Sequence, residues 1–153
     1  MKNALLLSLL ILCFPALVNA GSPTMTSAEK FIKGVKWRQK SVVVGDFSCS
    51  GKQEQAILGS SRKDIVVAIF HQGLTKQPEV LRYSASTRNP TKTILVIEDQ
   101  DYDPKQLESE VGYIPKGMLP SKNCKGLNIS DGEIDSVHIY WNHDTKHFSD
   151  WVL

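Results

Sequence analysis

Val42-Val43-Val44-Gly45-Asp46-Phe47-Ser48-Cys49-Ser50-Gly51-Lys52-Gln53-Glu54-Gln55-Ala56-Ile57-Leu58 is an apolar run, a polar loop and a second apolar run. The three valines are β-branched and suit a pleated, half-buried surface better than a helix. Gly45 and Gly51 bracket small polar residues that bond readily to their own backbone, and Gly51 is suited to a positive φ. Ala56, Ile57 and Leu58 start the return. The stretch predicts a β-hairpin with a long, structured loop.

Cys49 sits inside that loop, and its partner lies far along the chain. Residues Met1 to Ala20 read as a secretory signal: Lys2 is the positive end, Leu5 to Leu17 a nearly unbroken apolar run, and Val18-Asn19-Ala20 a small-residue cleavage site. Cys13 lies within that run between Leu12 and Phe14, where the small residues that a lipid-anchor cysteine needs are missing. Cys49 and Cys124 then remain in residues 21–153, read as one exported β-rich domain. An even count in an exported chain implies a bridge between them. The compartment is the periplasm if the source is bacterial and the secreted space otherwise.

Beyond the hairpin the pattern stays β. Thr26 and Glu29 have capping-box spacing ahead of Phe31 and Ile32, which predicts a helix over Ser27–Lys33 stopped by Gly34. Val35 and Trp37 alternate with Lys36 and Arg38 as extended chain. Asp64–His71 holds six successive apolar residues and reads as a central strand covered on both faces. Glu79–Ser84 is the next strand, and Thr93–Glu98 reads as a second buried one. Gly112–Lys125, with three prolines or glycines at positions 115, 117 and 120, predicts a long irregular connection held by Cys124. Val137–Trp141 alternates with His138 and Tyr140, and His147–Val152 closes the chain, with Trp141 and Trp151 read as packed inward. The fold expected is all-β, an antiparallel meander of about seven strands with one short N-terminal helix. A small β-sandwich is the alternative.

The Gly45–Glu54 loop resembles the calcium loop of FG-GAP/VCBS-type repeats, which run glycine, aspartate, aromatic, then oxygen ligands at alternate positions, glycine and a later acid. The matching residues are Gly45, Asp46, Phe47, Ser48, Ser50, Gly51 and Glu54, and the resemblance covers this hairpin only. It implies calcium held by Asp46, Ser48, Ser50 and Glu54; the residues read alone describe a cation-free turn pinned by Cys49. A second run, Asp99, Asp101 and Asp103, alternates carboxylates, with Glu110 at the last position of a twelve-residue calcium loop. There Pro104 stands where that loop needs glycine, so an acidic, solvated turn is the competing reading.

Charge argues against some partners. The chain has 18 basic and 16 acidic residues; the leader takes Lys2, and a balance this even gives no case for nucleic acid. No further apolar tract suggests a membrane span. His138, His143 and His147 lie close together, yet no spacing matches a zinc pattern, and no serine sits in a nucleophile elbow. Acid pairs such as Asp99 with Asp103 and Asp131 with Asp135 serve glycoside chemistry only at separations that sequence does not reveal. The function expected is therefore a non-catalytic exported binding module for a protein or cell-envelope ligand, of the inhibitor or immunity type. Its contacts are expected on the Gly112–Lys125 and Asn142–Lys146 loops, through Tyr113, Trp141, His143 and His147. A calcium-binding β module and an envelope hydrolase using His138 are the alternatives.

Overall fold

The structure, a computed structural model, describes residues 21–85, 89–132 and 136–152. The expected leader, Met1–Ala20, together with residues 86–88, Glu133–Asp135 and Leu153, lies outside the described residues. Among the described residues, nine strands form two antiparallel sheets, with two short α-helices.

The first sheet is built on β3 (Glu54–Ser60) and β4 (Asp64–Phe70), with β5 (Glu79–Ser84) beyond β4. The free side of β3 is shared by two short strands, β1 (Lys36–Trp37) and β2 (Val43–Gly45). Between them the chain makes a 3-10 turn, Gln39–Ser41. Ser41 repairs the interrupted ladder: its hydroxyl accepts from Leu58 N at 2.9 Å and donates to Arg38 O at 2.7 Å, while Leu58 O accepts from Arg38 N at 3.0 Å. A buried backbone amide left unpaired here is costly, which explains a small hydroxyl at this position.

The second sheet is a four-strand meander of β6 (Ile94–Gln100), β7 (Ser121–Ser130), β8 (Val137–Asn142) and β9 (His147–Val152). The two sheets face each other. Ala56, Leu58, Ile65, Val67 and Ile69 from one meet Leu127, Ile129, Ile139, Trp141 and Phe148 from the other in one core. Alternate residues of β3 and β4 point the opposite way: Ile57, Val66, Ala68 and Phe70 pack with Trp37 and Ala28. Helix α1 (Pro23–Phe31) covers that outer face. The period-2 alternation of a strand thus divides β4 between two cores, and its unbroken apolar run follows from helix on one side and sheet on the other. Each fully buried Ile or Val here is worth about 1.5–3 kcal/mol over leaving it in water.

Four ties fasten the layers. Cys49 and Cys124 form a disulfide, joining the β2–β3 loop to β7. The β6–β7 ladder breaks there, the partners jumping from Asp99↔Lys125 to Gln100↔Ser121, so Cys124 lies in the irregularity. Such a break re-aims a side chain, and Cys124 turns inward to 1 % exposure. Lys125 N also donates to Asp46 O at 2.9 Å. At the opposite side Phe148 N donates to Glu79 at 2.7 Å, and Tyr83 Oη donates to Asp150 at 2.9 Å.

Several expectations change. The first helix begins at Pro23, earlier than Ser27, because Ser22 accepts from Met25 N and the proline is preorganised for the first turn. The strand expected to be buried at Thr93–Glu98 is an edge strand, β6, with Ile94, Val96 and Ile97 all exposed and Leu95 buried. A second helix, α2 (Pro104–Val111), stands where an acidic turn was expected. Asp103 caps it by accepting from Lys105 N, Leu107 is its buried residue, and Gly112 at φ 84° ends it in the left-handed conformation that favours glycine. The irregular connection is limited to residues 112–120, since β7 starts at Ser121. Trp151 is half-buried and not in the inter-sheet core, because Phe148 sets the inward parity of β9 and Trp151, three residues on, falls on the other face.

Candidate functional site

The Asp46–Glu54 loop is held by its own carboxylates. Glu54, 3 % exposed, accepts from Phe47 N at 3.1 Å, Ser48 N at 2.8 Å, Ser50 Oγ at 3.1 Å and also Ser48 Oγ. Asp46 accepts from Ser50 N and Gly51 N, both at 2.8 Å. Gly51 takes φ 75° and Cys49 takes φ 56°. Both carboxylates thereby act as acceptors for N–H and O–H donors of the loop itself. In the acidic run, Asp99 pairs with Lys125, Asp103 caps α2, and Asp101 is exposed. The described residues contain no group of three or more His, Cys, Asp or Glu placed to hold a metal ion. The melting midpoint is expected to be the same in excess calcium and in excess chelator; a rise with calcium would show that a cation displaces the loop's own donors.

The expected contact residues divide. On the 112–120 loop Tyr113 is 50 % exposed, Ile114 42 % and Leu119 52 %. His147 is exposed and lies 3.4 Å from Glu79, and His143 is half-buried. Trp141, by contrast, is buried edge-on against Phe148, with ring centroids 5.1 Å apart, so it serves the core and is not a surface contact. The two loops meet: His143 N donates to Gly117 O at 2.8 Å. Tyr140 Oη donates to Lys116 O at 2.8 Å and Pro115 is buried, which pins the middle of the 112–120 loop to β8.

Burial raises the Tyr140 phenol above its ordinary 10.0; Tyr113, Asp150 and Asp144 add to the rise, and a hydrogen bond with Ser149 opposes it. Burial also raises Tyr102, with Tyr140 adding to it. A phenol whose folded value lies above its unfolded one contributes fully below the unfolded value and loses that contribution as pH climbs through the folded one. Stability is therefore expected to fall as pH rises past 10.0. Urea midpoints across the alkaline range test this, and Tyr140→Phe should flatten the fall.

Sequence reading singled out His138 but not its surroundings. On the outer face of the second sheet, β7 places Asn128 beside His138 of β8, and β9 places Trp151 on its other side. His138 Nδ1 lies 2.8 Å from Glu98 of β6, and Asn128 Nδ2 donates to the same carboxylate oxygen at 3.3 Å. The Trp151 ring stacks on the imidazole, centroids 4.1 Å apart and planes 12° from parallel. Gly126 makes the arrangement fit: a Cβ there would lie 3.0 Å from Glu98 Cγ and 3.1 Å from Ile139 O. His138 is outward by parity between Val137 and Ile139, whereas its pairing with Glu98, forty residues away, depends on sheet order.

No family model, curated protein or solved structure matches this chain. No described helix is long and apolar enough to cross a membrane.

Proposed function

We propose that this chain is an exported, non-catalytic binding module that takes a protein or cell-envelope ligand at one end of the second sheet. The observation that carries the reading is the His143 N to Gly117 O bond, which joins the two loops into one surface. That surface presents Tyr113, Ile114 and Leu119, each at least 42 % exposed. Large apolar side chains exposed together on a loop are unusual without a partner, and a loop pinned at its centre loses little entropy on binding. The signal-like leader and the Cys49–Cys124 bridge support export, since such bridges persist in oxidising compartments.

Photoreactive phenylalanine placed at position 113 or 119 tests the site against position 44, also exposed but on the first sheet. In the native exported fraction, crosslinks to a partner are expected from positions 113 and 119 and not from 44. Crosslinks from 44 alone would contradict the reading.

A further inference from the structure

We infer that the free edge of β6 takes an extended peptide segment as a further strand, with an acidic residue at the end that lies over Arg38 and Lys40. This edge is separate from the loop surface proposed above. β6 pairs on one side only, with β7. Backbone groups of a strand point alternately to its two sides, and two bonds fix which residues of β6 turn away from β7. Thr93 O, just before the strand, accepts from Arg38, and Lys125 N on β7 donates away from β6, to Asp46 O. In the register that pairs Ile94 with Ser130 and Glu98 with Gly126, the N–H and C=O of Leu95 and Ile97 then face outward. No backbone bond among the described residues takes up these four groups.

Side chains and charge decide what fits there. Ile94, Val96 and Ile97 are exposed, and nothing from Ile94 to Ile97 supplies the lysine, proline or bulge that closes natural sheet edges. A cleft of about 320 Å³ lies beside the edge, bounded by Arg38, Lys40, Ser41 and residues 93–96. Leu95 borders it although its side chain lies in the inter-sheet core, so it is the backbone of Leu95 that meets the cleft. Neither Arg38 nor Lys40 pairs with a carboxylate of the described residues, and no described acid lines the cleft. Burial lowers Arg38 below its ordinary 12.5, as for a cation that has lost water without gaining a counter-ion. A strand laid antiparallel on β6 brings its C-terminal end to Thr93. An acidic residue at that end meets both cations, while the main chain bonds to Leu95 and Ile97.

The probe is a blocked hexapeptide of alternating threonine and valine that ends in glutamate. One control carries lysine in place of the glutamate, and a second is N-methylated at every internal amide. Binding to the oxidised protein is followed by its backbone amide resonances. The glutamate peptide is expected to bind saturably and to shift the Leu95 and Ile97 amides, with both controls at least about tenfold weaker. Lys40 is exposed, so Lys40→Glu should keep the parental melting midpoint while affinity falls about tenfold at low salt and less at high salt. Equal affinity for the glutamate and lysine peptides, undiminished binding of the N-methylated peptide, or shifts confined to residues 112–120 would each overturn the proposal. So would a dimer of the protein alone that Val96→Lys dissolves, which would give the edge to a second copy.

Discussion

Replacing Cys49 and Cys124 together by alanine is expected to lower the unfolding free energy by about 4 kcal/mol. The size comes from the separation of the cysteines, 75 residues. Closing a loop of that length removes chain entropy worth about 4.5 kcal/mol from the unfolded state, and native bridges in small secreted domains cost about 2–5 kcal/mol to lose. The bridge joins different sheets, so its loss should be felt where the layers meet. Amides of residues 46–51 and 121–125 should exchange faster, while β9 near Phe148, tied through Glu79, should change little. Urea unfolding of the variant measures the first effect and hydrogen exchange the second. A loss below about 1 kcal/mol would mean that the shared core and the Lys125 N to Asp46 O bond already fix this corner without the covalent tie.

Glu54→Ala is expected to cost about 4 kcal/mol, although the residue reads from sequence as a candidate cation ligand. Its carboxylate is 3 % exposed and receives two backbone N–H groups and two serine hydroxyls. Truncation leaves the Phe47 and Ser48 amides without their acceptor, and hydrogen bonds to a buried charge are among the stronger ones. Phe47, 1 % exposed in the inter-sheet core, is positioned by this contact, so the damage should reach the core. Asp46→Ala should cost less, since its partners, Ser50 N and Gly51 N, are exposed and water replaces the lost acceptor. Equal midpoints for Glu54→Ala and the parent protein in urea would show that the loop is held by the disulfide and not by the carboxylate.

These two residues also mark what sequence reveals. The hairpin was legible because β-branched runs flank glycines, and β4 because six apolar residues in a row suit a strand buried on both faces. Less visible was β7: its outward residues Asn128 and Gly126 serve Glu98 and His138, and polar residues on that face hide the strand signal. The helix α2 was readable in principle, with Asp103-Pro104 at its start and Gly112 at its end, but the alternate carboxylates before it read as an acidic turn or a cation loop instead. For β6 the composition misleads, because Ile94, Val96 and Ile97 suit a buried strand as well as an exposed edge, and only sheet order separates the two. The site followed the same rule. Loop residues such as Tyr113 could be placed on the surface from composition, whereas Glu98 and His138 meet only once β6, β7 and β8 are laid side by side.

The binding surface itself is tested most directly by removing its side chains without touching the scaffold. Tyr113→Ala combined with Leu119→Ala should leave the melting midpoint unchanged, since both side chains are at least half exposed. Immobilised in the native exported fraction, that variant should retain at least about tenfold less partner than the parent, with Val44→Ala retaining the parental amount. Equal retention by the double variant and the parent would contradict the assignment of this surface.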